Sequence, residues 1–310
     1  MSKVTDFCID LSCYLQELLM NAVEAGATTI NCSINANRTD DILTLSIRDN
    51  GTGMNPEVLP RIQRGFYSTK GNDRGTALSC ILKKNQQHGL GVNFKPQNPS
   101  GLMVITKWHI RDIIGETKLI SLGDVGLTYA LFVASYENIK ISLDFSYENG
   151  AIFMLDSEKV RKDLGGVPVS SVIGYNFITR LVTDHLDKFI GGISQMNSLE
   201  ELNAMRESAK ADISVRDAKG TKVVVAMGTL GINAGARETA RAFVDAISEN
   251  KLYEVAVNLE PATGDAASQP IVDIVSVDGT SVRYKNVDSL KAKRIVTEHL
   301  VNGNVCNDLV

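Results

Sequence analysis

Two sets of polar side chains near the start of the chain could do chemistry together. Glu17 and Asn21 are four residues apart, so a helix would stack a carboxylate beneath a carboxamide. The second set is Asp49-Asn50-Gly51-Thr52-Gly53-Met54, a carboxylate followed by glycines at the end of a predicted strand. An amide oxygen is a hard, neutral ligand that Mg²⁺ accepts. A carboxylate at a strand end is a selective acceptor for an N–H₂ group.

A helix and two strands would position these groups. Apolar residues recur at three- and four-residue steps and predict a core-facing stripe, namely Leu11, Leu15, Leu18, Ala22 and Ala25. Glu17, Asn21 and Glu24 recur in the same way on another face. Gly26 is placed as a left-handed helix cap. Alternation predicts the two strands, through Ile30, Cys32 and Ile34 and through Leu43, Leu45 and Ile47.

Each polar set alone has a simpler structural explanation, since Glu and Asn one turn apart usually form a solvated face and Asp-Asn-Gly is usually a hairpin turn. The order and spacing of both sets together are more specific. The stretch from Leu11 to Met54 resembles the GHKL nucleotide-binding fold of gyrase, sensor histidine kinases and MutL mismatch-repair ATPases. The segment ELLMNAVEAGAT is most similar to the first motif of that fold as it occurs in MutL ATPases.

The resemblance implies a role for each residue. Asn21 would hold Mg²⁺ together with phosphate oxygens and water, and Glu17 would be the catalytic residue that orients or deprotonates the attacking water. Asp49 would accept the exocyclic amine of adenine. Gly51 and Gly53 would let the base lie against bare backbone, and Met54 belongs to the same cofactor-binding set. ATP or ADP with Mg²⁺ is therefore the expected cofactor.

The next segment resembles the lid region of that family. It contains Phe66-Tyr67-Ser68-Thr69-Lys70 and then Arg74-Gly75-Thr76-Ala77-Leu78. A loop that leads into a helix presents free N–H groups to phosphates, so Thr69, Lys70 and Gly75 join the predicted cofactor-binding residues. A polar surface loop is the alternative. Ala77 replaces a family glycine and Leu102 stands where the family often has Thr, so we expect binding with at most weak ATPase turnover.

Composition restricts the partners. The 310 residues carry a net charge of −4, which favours neither a nucleic-acid nor an anionic-membrane surface. The five cysteines are unevenly spaced and form no CxxC pair, so neither a disulfide framework nor a metal site is indicated. With no signal peptide and no membrane-length apolar run, we expect a cytoplasmic protein. None of the four histidines precedes Leu11, so we do not expect a self-phosphorylating histidine kinase.

The middle of the chain, residues 103–190, contains predicted strands in MVITKWHI, NIKISLDFSY and AIFML and predicted helices near VGLTYALFVAS and at 176–189. Its wording, LISLGDVGLTYALFVA followed by DFSYENGAIFMLDSEKVRKDLGGVP, resembles an extension of one GHKL subfamily. Proteins of that subfamily are encoded beside iron-only and NADP-reducing hydrogenase genes. A structural layer packed on the ATPase sheet is the alternative, and it is compatible with this resemblance.

Beyond residue 192 a new series of predicted helices and strands begins. Ser198 and Glu201 form a capping box for a helix over 198–213. There follow a strand KVVVAM, a glycine-rich loop GTLGINAGA, a helix RETARAFVDAISENKL, strands YEVAVNL, IVDIVSV and VRYKNV, and a helix SLKAKRIVTEHLVNG. The loop lacks GxGxxG spacing, so a dinucleotide site is a weak interpretation. SLEELNAMRESAK, MGTLGINAGARE and KRIVTEHLVNG resemble the thioredoxin-like ferredoxin domain of NADP-reducing hydrogenase small subunits.

That family holds a two-iron two-sulfur cluster on four cysteines. The matching positions here are Ala226, Leu230, Ala262 and Ala266. None of these residues can ligate iron, and the only cysteine of this region is Cys306, so we expect no iron–sulfur cluster.

The sequence therefore predicts an α/β (α+β) protein of three parts. These are a GHKL/Bergerat α/β sandwich at 1–110, a family-specific extension at 111–192 and a thioredoxin-like ferredoxin domain without cluster ligands at 193–310. The predicted function is an ATP-binding, non-redox regulatory or structural subunit that docks on hydrogenase or NAD(P)-linked diaphorase subunits of an electron-bifurcating complex as a hetero-oligomer. The alternative is a stand-alone ATPase, or a serine or protein kinase of the anti-sigma type, whose second domain recognises a substrate.

Overall fold

The computed structural model describes residues 10–55, 57, 85, 89–114, 121–147, 150–190, 220–261 and 265–310. Its contacts divide the chain into two units. One unit comprises residues 1–129, 136–160 and 180–196, and the other comprises residues 130–135, 161–179 and 197–310. The predicted boundaries after residues 110 and 192 stay predictions.

The first unit is built on a six-stranded sheet. Its strands are β1 (Thr29–Asn37), β2 (Ile42–Asp49), β3 (Val92–Pro96), β4 (Leu102–His109), β5 (Lys140–Tyr147) and β6 (Gly150–Asp156). They lie in the order β3-β4-β2-β1-β5-β6. All neighbours are antiparallel except β1 and β5, which are parallel. A parallel pair needs a crossover, and the chain between β1 and β5 supplies one.

The helices of the described chain, up to residue 190, are α1 (Leu11–Glu24), α2 (Ile110–Ile114), α3 (Val125–Ser135), α4 (Ser157–Asp163) and α5 (Val172–Ile190). The strands predicted in MVITKWHI, NIKISLDFSY and AIFML are confirmed as β4, β5 and β6. The helices predicted near VGLTYALFVAS and at 176–189 are confirmed as α3 and α5.

Alternation along each strand separates a core face from an outer face of this sheet. On β2, Leu43, Leu45 and Ile47 are at most 5% exposed, while the residues between them are half-buried or exposed. On β4 the inner set includes Trp108, whose ring meets Tyr14 of α1 edge to face at a centroid distance of 5.1 Å. The core of this unit therefore lies between the sheet and α1, as the period of two demands.

Helix α1 is buried on more sides than its sequence predicts. The stripe of Leu11, Leu15, Leu18 and Ala22 is buried as predicted, but so is every other residue from 11 to 20. Glu17 is only 2% exposed, whereas Glu24 is exposed, so these two residues do not share a solvated face. The helix begins at Asp10, whose side chain accepts a hydrogen bond from the Cys13 N–H at 2.8 Å.

The second unit contains a four-stranded sheet. Its strands are β7 (Lys222–Ala226), β8 (Ala256–Glu260), β9 (Val272–Val275) and β10 (Ser281–Tyr284), in the order β10-β9-β7-β8. Only β7 and β8 are parallel. Its helices within residues 220–261 and 265–310 are α6 (Thr229–Asn233), α7 (Ala236–Glu249) and α8 (Ser289–Ile295), and α8 continues as a π-helical turn, Val296–Val301.

Two details of the second unit differ from the sequence prediction. The glycine-rich stretch after β7 is not simply a loop, because Thr229–Asn233 form α6. Its glycines serve packing and turning: a Cβ on Gly231 would lie 2.4 Å from the Ala226 carbonyl oxygen, and Gly235 turns the chain into α7 at a φ of +96°. The predicted capping box at Ser198 and Glu201, with its helix, lies outside the described residues.

The outer edge of β8 is closed by side chains. The Tyr175 hydroxyl donates a hydrogen bond to the Val257 carbonyl oxygen, and the Leu259 N–H donates to Ser135 Oγ at 2.8 Å. Unpaired groups on an edge strand can template pairing with another strand. These two contacts therefore block strand addition along β8.

The core assignment of α1 can be tested with Leu15→Ala. Leu15 is fully buried, so we expect the free energy of unfolding to fall by about 2–5 kcal/mol, from lost burial and the cavity left behind. The single tryptophan, Trp108, lies in this core, so its fluorescence during urea unfolding reports on the first unit. The matched control is Leu90→Ala, because Leu90 is 44% exposed. Equal losses for the two variants would contradict the assignment.

Candidate nucleotide-binding site

Asp49 lies on the core face of the first sheet, at the end of β2. Leu43, Leu45 and Ile47 point to the core and alternate with residues that point outward. Asp49 is two residues after Ile47, so its side chain is on the core face as well. The predicted binding carboxylate is therefore on the same side of the sheet as α1. Asp49 Oδ1 accepts a hydrogen bond from the Gly51 N–H at 2.8 Å, which turns the chain sharply after the strand.

The turn after β2 is held against the C-terminal end of α1. Gly26 has a φ of +71°, and the N–H groups of Gly26 and Ala27 donate to the Val23 and Ala22 carbonyls at 2.9 and 3.1 Å. These are the two hydrogen bonds of a left-handed helix cap, as predicted from Gly26. One residue before the cap, the Ala25 carbonyl accepts from the Thr52 N–H at 2.9 Å.

Asn50 connects the turn to the start of β1. Its side-chain oxygen accepts hydrogen bonds from the N–H groups of Thr28 and Thr29, each at 2.9 Å. Its amide nitrogen donates to Thr28 Oγ1 at 2.9 Å. The sequence analysis gave Asn50 no role, because its partners are 21 and 22 residues away and nothing local indicates them.

Three glycines let main chain pack on main chain around Asp49. A Cβ on Gly51 would lie 2.7 Å from the Ala25 carbonyl oxygen, and one on Gly101 would lie 2.1 Å from the Asp49 carbonyl oxygen. Gly53 has a φ of +75° and a Cβ there would lie 2.9 Å from the Gly101 oxygen. Any side chain at these positions would separate the segments. The main chain beside Asp49 therefore carries no side chain at Gly51 or Gly53, and Met54 follows it half-buried.

The electrostatics of Asp49 reflect this position. Partial burial raises the pKa of the Asp49 carboxyl above its ordinary value of 3.8. The main-chain N–H groups of Gly51 and Leu102 act in the opposite direction and lower the pKa. A carboxylate offers about four lone-pair positions, so acceptor capacity remains for a further donor. Leu102 contributes here through its backbone, although its side chain differs from the threonine of the resembled family.

The predicted metal ligand and catalytic residue lie one turn apart on α1. Glu17 is 2% exposed. Asn21 is half-buried, and within the described residues its buried amide nitrogen has no hydrogen-bond partner. A buried amide group without a partner costs about 1–3 kcal/mol, so such a side chain suits a ligand that completes it. Rotation about the last side-chain bond exchanges the oxygen and nitrogen of an Asn amide, so either can face a ligand.

The remaining predicted site residues, Thr69, Lys70 and Gly75, lie outside the described residues, as does Ala77. No group of three or more His, Cys, Asp or Glu side chains in the described part of the chain is arranged to hold a metal ion. No helix among the described residues combines the length and apolar character needed to cross a membrane.

Comparison with known proteins identifies the class of this site. Residues 9–111 match the family described as histidine kinase-, DNA gyrase B-, and HSP90-like ATPase. Over 103 residues the chain is 31% identical to the sensor protein QseC of Escherichia coli, a match that covers 32% of this chain and 22% of QseC. The chain thus spans less than a quarter of that relative. Residues 9–111 carry an ATP-binding domain of the GHKL type.

The chain shows further similarities. Over 118 residues the chain is 25% identical to the NADP-reducing hydrogenase subunit HndB of Solidesulfovibrio fructosivorans, covering 38% of this chain and 93% of that subunit. Among solved structures, the N-terminal domain of a DNA repair protein matches with a TM-score of 0.36 and 17% identity over 48% of this chain and 53% of that one. The Aquifex aeolicus MutL ATPase domain complexed with ADP matches with a TM-score of 0.34 and 13% identity, over 56% and 69%.

The raised pKa of Asp49 predicts a pH dependence of stability. Between pH 3.8 and the raised value, the native carboxyl keeps a proton that the unfolded chain has lost. The native state then binds more protons, so the free energy of unfolding falls as pH rises through this window. Asp49→Asn lacks this contribution. We therefore expect the free energy of unfolding of Asp49→Asn, minus that of the wild type, to increase as pH rises from about 4 and then to level off. Trp108 fluorescence during urea unfolding measures both free energies. Parallel curves for the two proteins would contradict the assignment.

Proposed function

We propose that this chain is an ATP-binding, non-redox regulatory or structural subunit of a hydrogenase-type, NAD(P)-linked complex. The nucleotide part rests on one observation above all. The Asp49 carboxylate lies on the core side of the sheet, beside bare backbone at Gly51 and Gly53, with acceptor capacity left for the amine of adenine. A flat aromatic base needs such a surface, because side chains there would hold it away from the carboxylate.

The α1 residues fit the phosphate end of the nucleotide. Asn21 would contribute an amide oxygen to Mg²⁺, which neutralises phosphate charge when it is bound. Glu17 would orient or deprotonate water, and Thr69, Lys70 and Gly75 would contact phosphates. Because Ala77 replaces a family glycine, we expect the chain to bind ATP but to hydrolyse it weakly or not at all.

Titration calorimetry with Mg-ATP tests the adenine contact. We expect Asp49→Asn to weaken binding by about 10- to 100-fold, the value of a hydrogen bond to a charged acceptor. The matched control is Asp40→Asn, an exposed aspartate in the turn between β1 and β2. Mg-ITP, which lacks the amine, should bind the wild type as weakly as Mg-ATP binds Asp49→Asn. Unchanged affinity of Asp49→Asn for Mg-ATP would overturn the assignment.

The hydrogenase part of the proposal is supported by the second unit. Its sheet order β10-β9-β7-β8, with one parallel pair joined through α7, supports the proposal of a thioredoxin-like domain. The similarity to HndB extends over 93% of that subunit, which supports the same relationship. The name of HndB describes that protein as part of an NADP-reducing hydrogenase, and we extend this association to the present chain.

A redox role is not part of the proposal, because the positions that match cluster ligands carry no sulfur. Ala226 is buried at the end of β7, Leu230 is half-buried in α6, and Ala266 is exposed at the start of a short 3₁₀ turn. Ala262 lies outside the described residues. Cys306 is 2% exposed, and burial raises the pKa of its thiol to about 11, which disfavours the thiolate that binds iron.

A domain that keeps its shape without its redox centre is useful as a surface. The C-terminal domain would dock as a ferredoxin-like domain without a cluster. It would occupy the position of the cluster-bearing small subunit, or it would bind the complex in the same way as that subunit. The closed edge of β8 directs this docking to another face of the domain. A nucleotide could favour one arrangement of the complex, provided that it binds the two arrangements unequally.

Copurification of the tagged full-length chain from its native cells tests the docking. We expect hydrogenase or diaphorase subunits to copurify, and the protein produced alone and anaerobically to show no iron–sulfur absorption. Cys306→Ser is the matched control for adventitious iron, and its spectrum should equal that of the wild type. Recovery of the chain alone, or a stoichiometric cluster, would overturn this part of the proposal without affecting nucleotide binding.

The second candidate is a stand-alone ATPase or protein kinase whose C-terminal part recognises a substrate. The 31% identity to a sensor protein favours it, since this similarity lies in the nucleotide-binding class. Turnover by the isolated chain separates the candidates. Robust ATP hydrolysis that Glu17→Gln abolishes favours the enzyme, whereas tight binding with negligible turnover favours the subunit.

A further inference from the structure

The outer face of the six-stranded sheet, which consists of the strand residues that point away from α1, is divided by charge. Its basic part lies on β2, β3 and β4 and carries Arg48, Lys95 and Lys107, all exposed. Its acidic part lies on β5 and β6 and carries Asp144 and Asp156. Asp156 and Glu158 both contact the Lys140 ammonium group, at 3.3 and 3.0 Å, so two carboxylates share one positive charge there.

The registers of the strands place Lys95 and Asp156 at opposite ends of one continuous row. The row starts with Lys95 on β3, which is opposite Met103 on β4, which in turn is opposite Arg48 on β2. It continues through Asn31 on β1 and Ser142 on β5 and ends with Asp156 on β6. At about 4.8 Å between strands, the row is about 24 Å long. The separation exceeds a Debye length at physiological ionic strength, so the two ends attract different partners rather than each other.

Hydrogen bonds fix the side chains in the middle of the outer face, on β1 and β5. Ser142 Oγ donates to Asn31 Oδ1 at 2.9 Å, and Asn35 Nδ2 donates to Ser146 Oγ at 2.9 Å. Between them, Asp144 is hydrogen-bonded to Ser33. Side chains that are already fixed by their neighbours lose little conformational freedom when a surface is covered. Apolar side chains flank this strip, and Met154 is 64% exposed.

We infer that the outer face pairs with the same face of a second copy of this chain, about a two-fold axis parallel to the strands. Such an axis reverses the strand order, so β3 of one copy lies opposite β6 of the other. Lys95 then faces Asp156 of the second copy, and Ile105 and Lys107 approach its Asp144. The same contacts form twice, as an isologous interface requires.

A second copy fits this face better than other occupants. A polyanion such as nucleic acid would be attracted to the basic part but repelled by the acidic part. A uniformly basic or acidic protein would meet the same conflict. Only a surface with the opposite order of charges satisfies both parts, and a copy turned about the two-fold axis has that order. The inference goes beyond nucleotide binding and docking of the C-terminal part, since it concerns neither surface.

Sedimentation of the wild-type full chain gives the first test. We expect a dimer whose dissociation constant rises at least tenfold as salt increases from about 0.05 M to about 1 M, because salt screens the exposed charge pairs. A monomer at all concentrations, or a dimer that is insensitive to salt, would overturn the inference. This measurement needs no substitution, so it does not depend on a variant that folds.

Two charge-reversed variants then test the pairing itself. Lys95→Glu with Lys107→Glu reverses the charge of the basic part, and Asp144→Lys with Asp156→Lys reverses the charge of the acidic part. Each variant alone should be monomeric, because like charges meet across the axis. Mixed together they should form a heterodimer, because both halves of the interface regain opposite charges. Circular dichroism and the thermal midpoint of each variant check that the fold is kept.

The matched control is Lys251→Glu with Lys285→Glu at exposed positions of the second unit. It changes the net charge by the same amount as the variant in which two basic residues of the outer face become glutamate. It should dimerise as the wild type does. Dimers formed by either reversed variant alone, or monomers in their mixture, would overturn the pairing. Loss of the dimer in the control would mean that net charge, and not this face, governs association.

Discussion

The close approach of three main-chain segments around Asp49 is the constraint on which the nucleotide-binding domain depends. The end of β2, the cap of α1 and the start of β4 come so near one another that Gly51 and Gly101 have no room for a Cβ. Asn50 adds three side-chain hydrogen bonds to Thr28 and Thr29. Main-chain contacts of this kind are rigid, so the carboxylate is held in place before any ligand arrives, which lowers the entropic cost of binding.

This arrangement is maintained at some expense to stability. Partial burial disfavours the charged form of Asp49, and the Asn21 amide nitrogen is buried with no partner among the described residues. Unsatisfied or desolvated polar groups in a folded protein frequently mark binding sites, since a ligand supplies what the fold leaves out. Both groups belong to the set that a nucleotide and its metal ion would complete, and this coincidence is the physical case for the site.

The second unit presents a different situation, because the residues that match cluster ligands in the proposed ferredoxin-like relationship carry no sulfur. Its sheet, with one parallel pair, is complete, and the tight contact of Gly231 with Ala226 preserves the turn after β7. The positions that would hold sulfur ligands carry Ala226, Leu230 and Ala266. Cys306 is buried, its pKa is raised, and its thiol donates a hydrogen bond to Glu298 Oε2 at 3.3 Å. What remains available is surface, which is why the proposals for this unit and for the outer sheet face concern association.

The sequence by itself determined the elements and the residue types of the site. Alternation along β2 predicted which side chains are inside, the spacing in α1 predicted its core stripe, and Gly26 predicted the cap, because all three depend on neighbours within a few residues. It predicted neither the burial of Glu17 nor the helix α6. Tertiary structure alone decided the role of Asn50, the need for Gly101 and the charge division of the outer face. Those depend on segments far apart in sequence, and no local periodicity records which strands become neighbours or how closely their backbones approach.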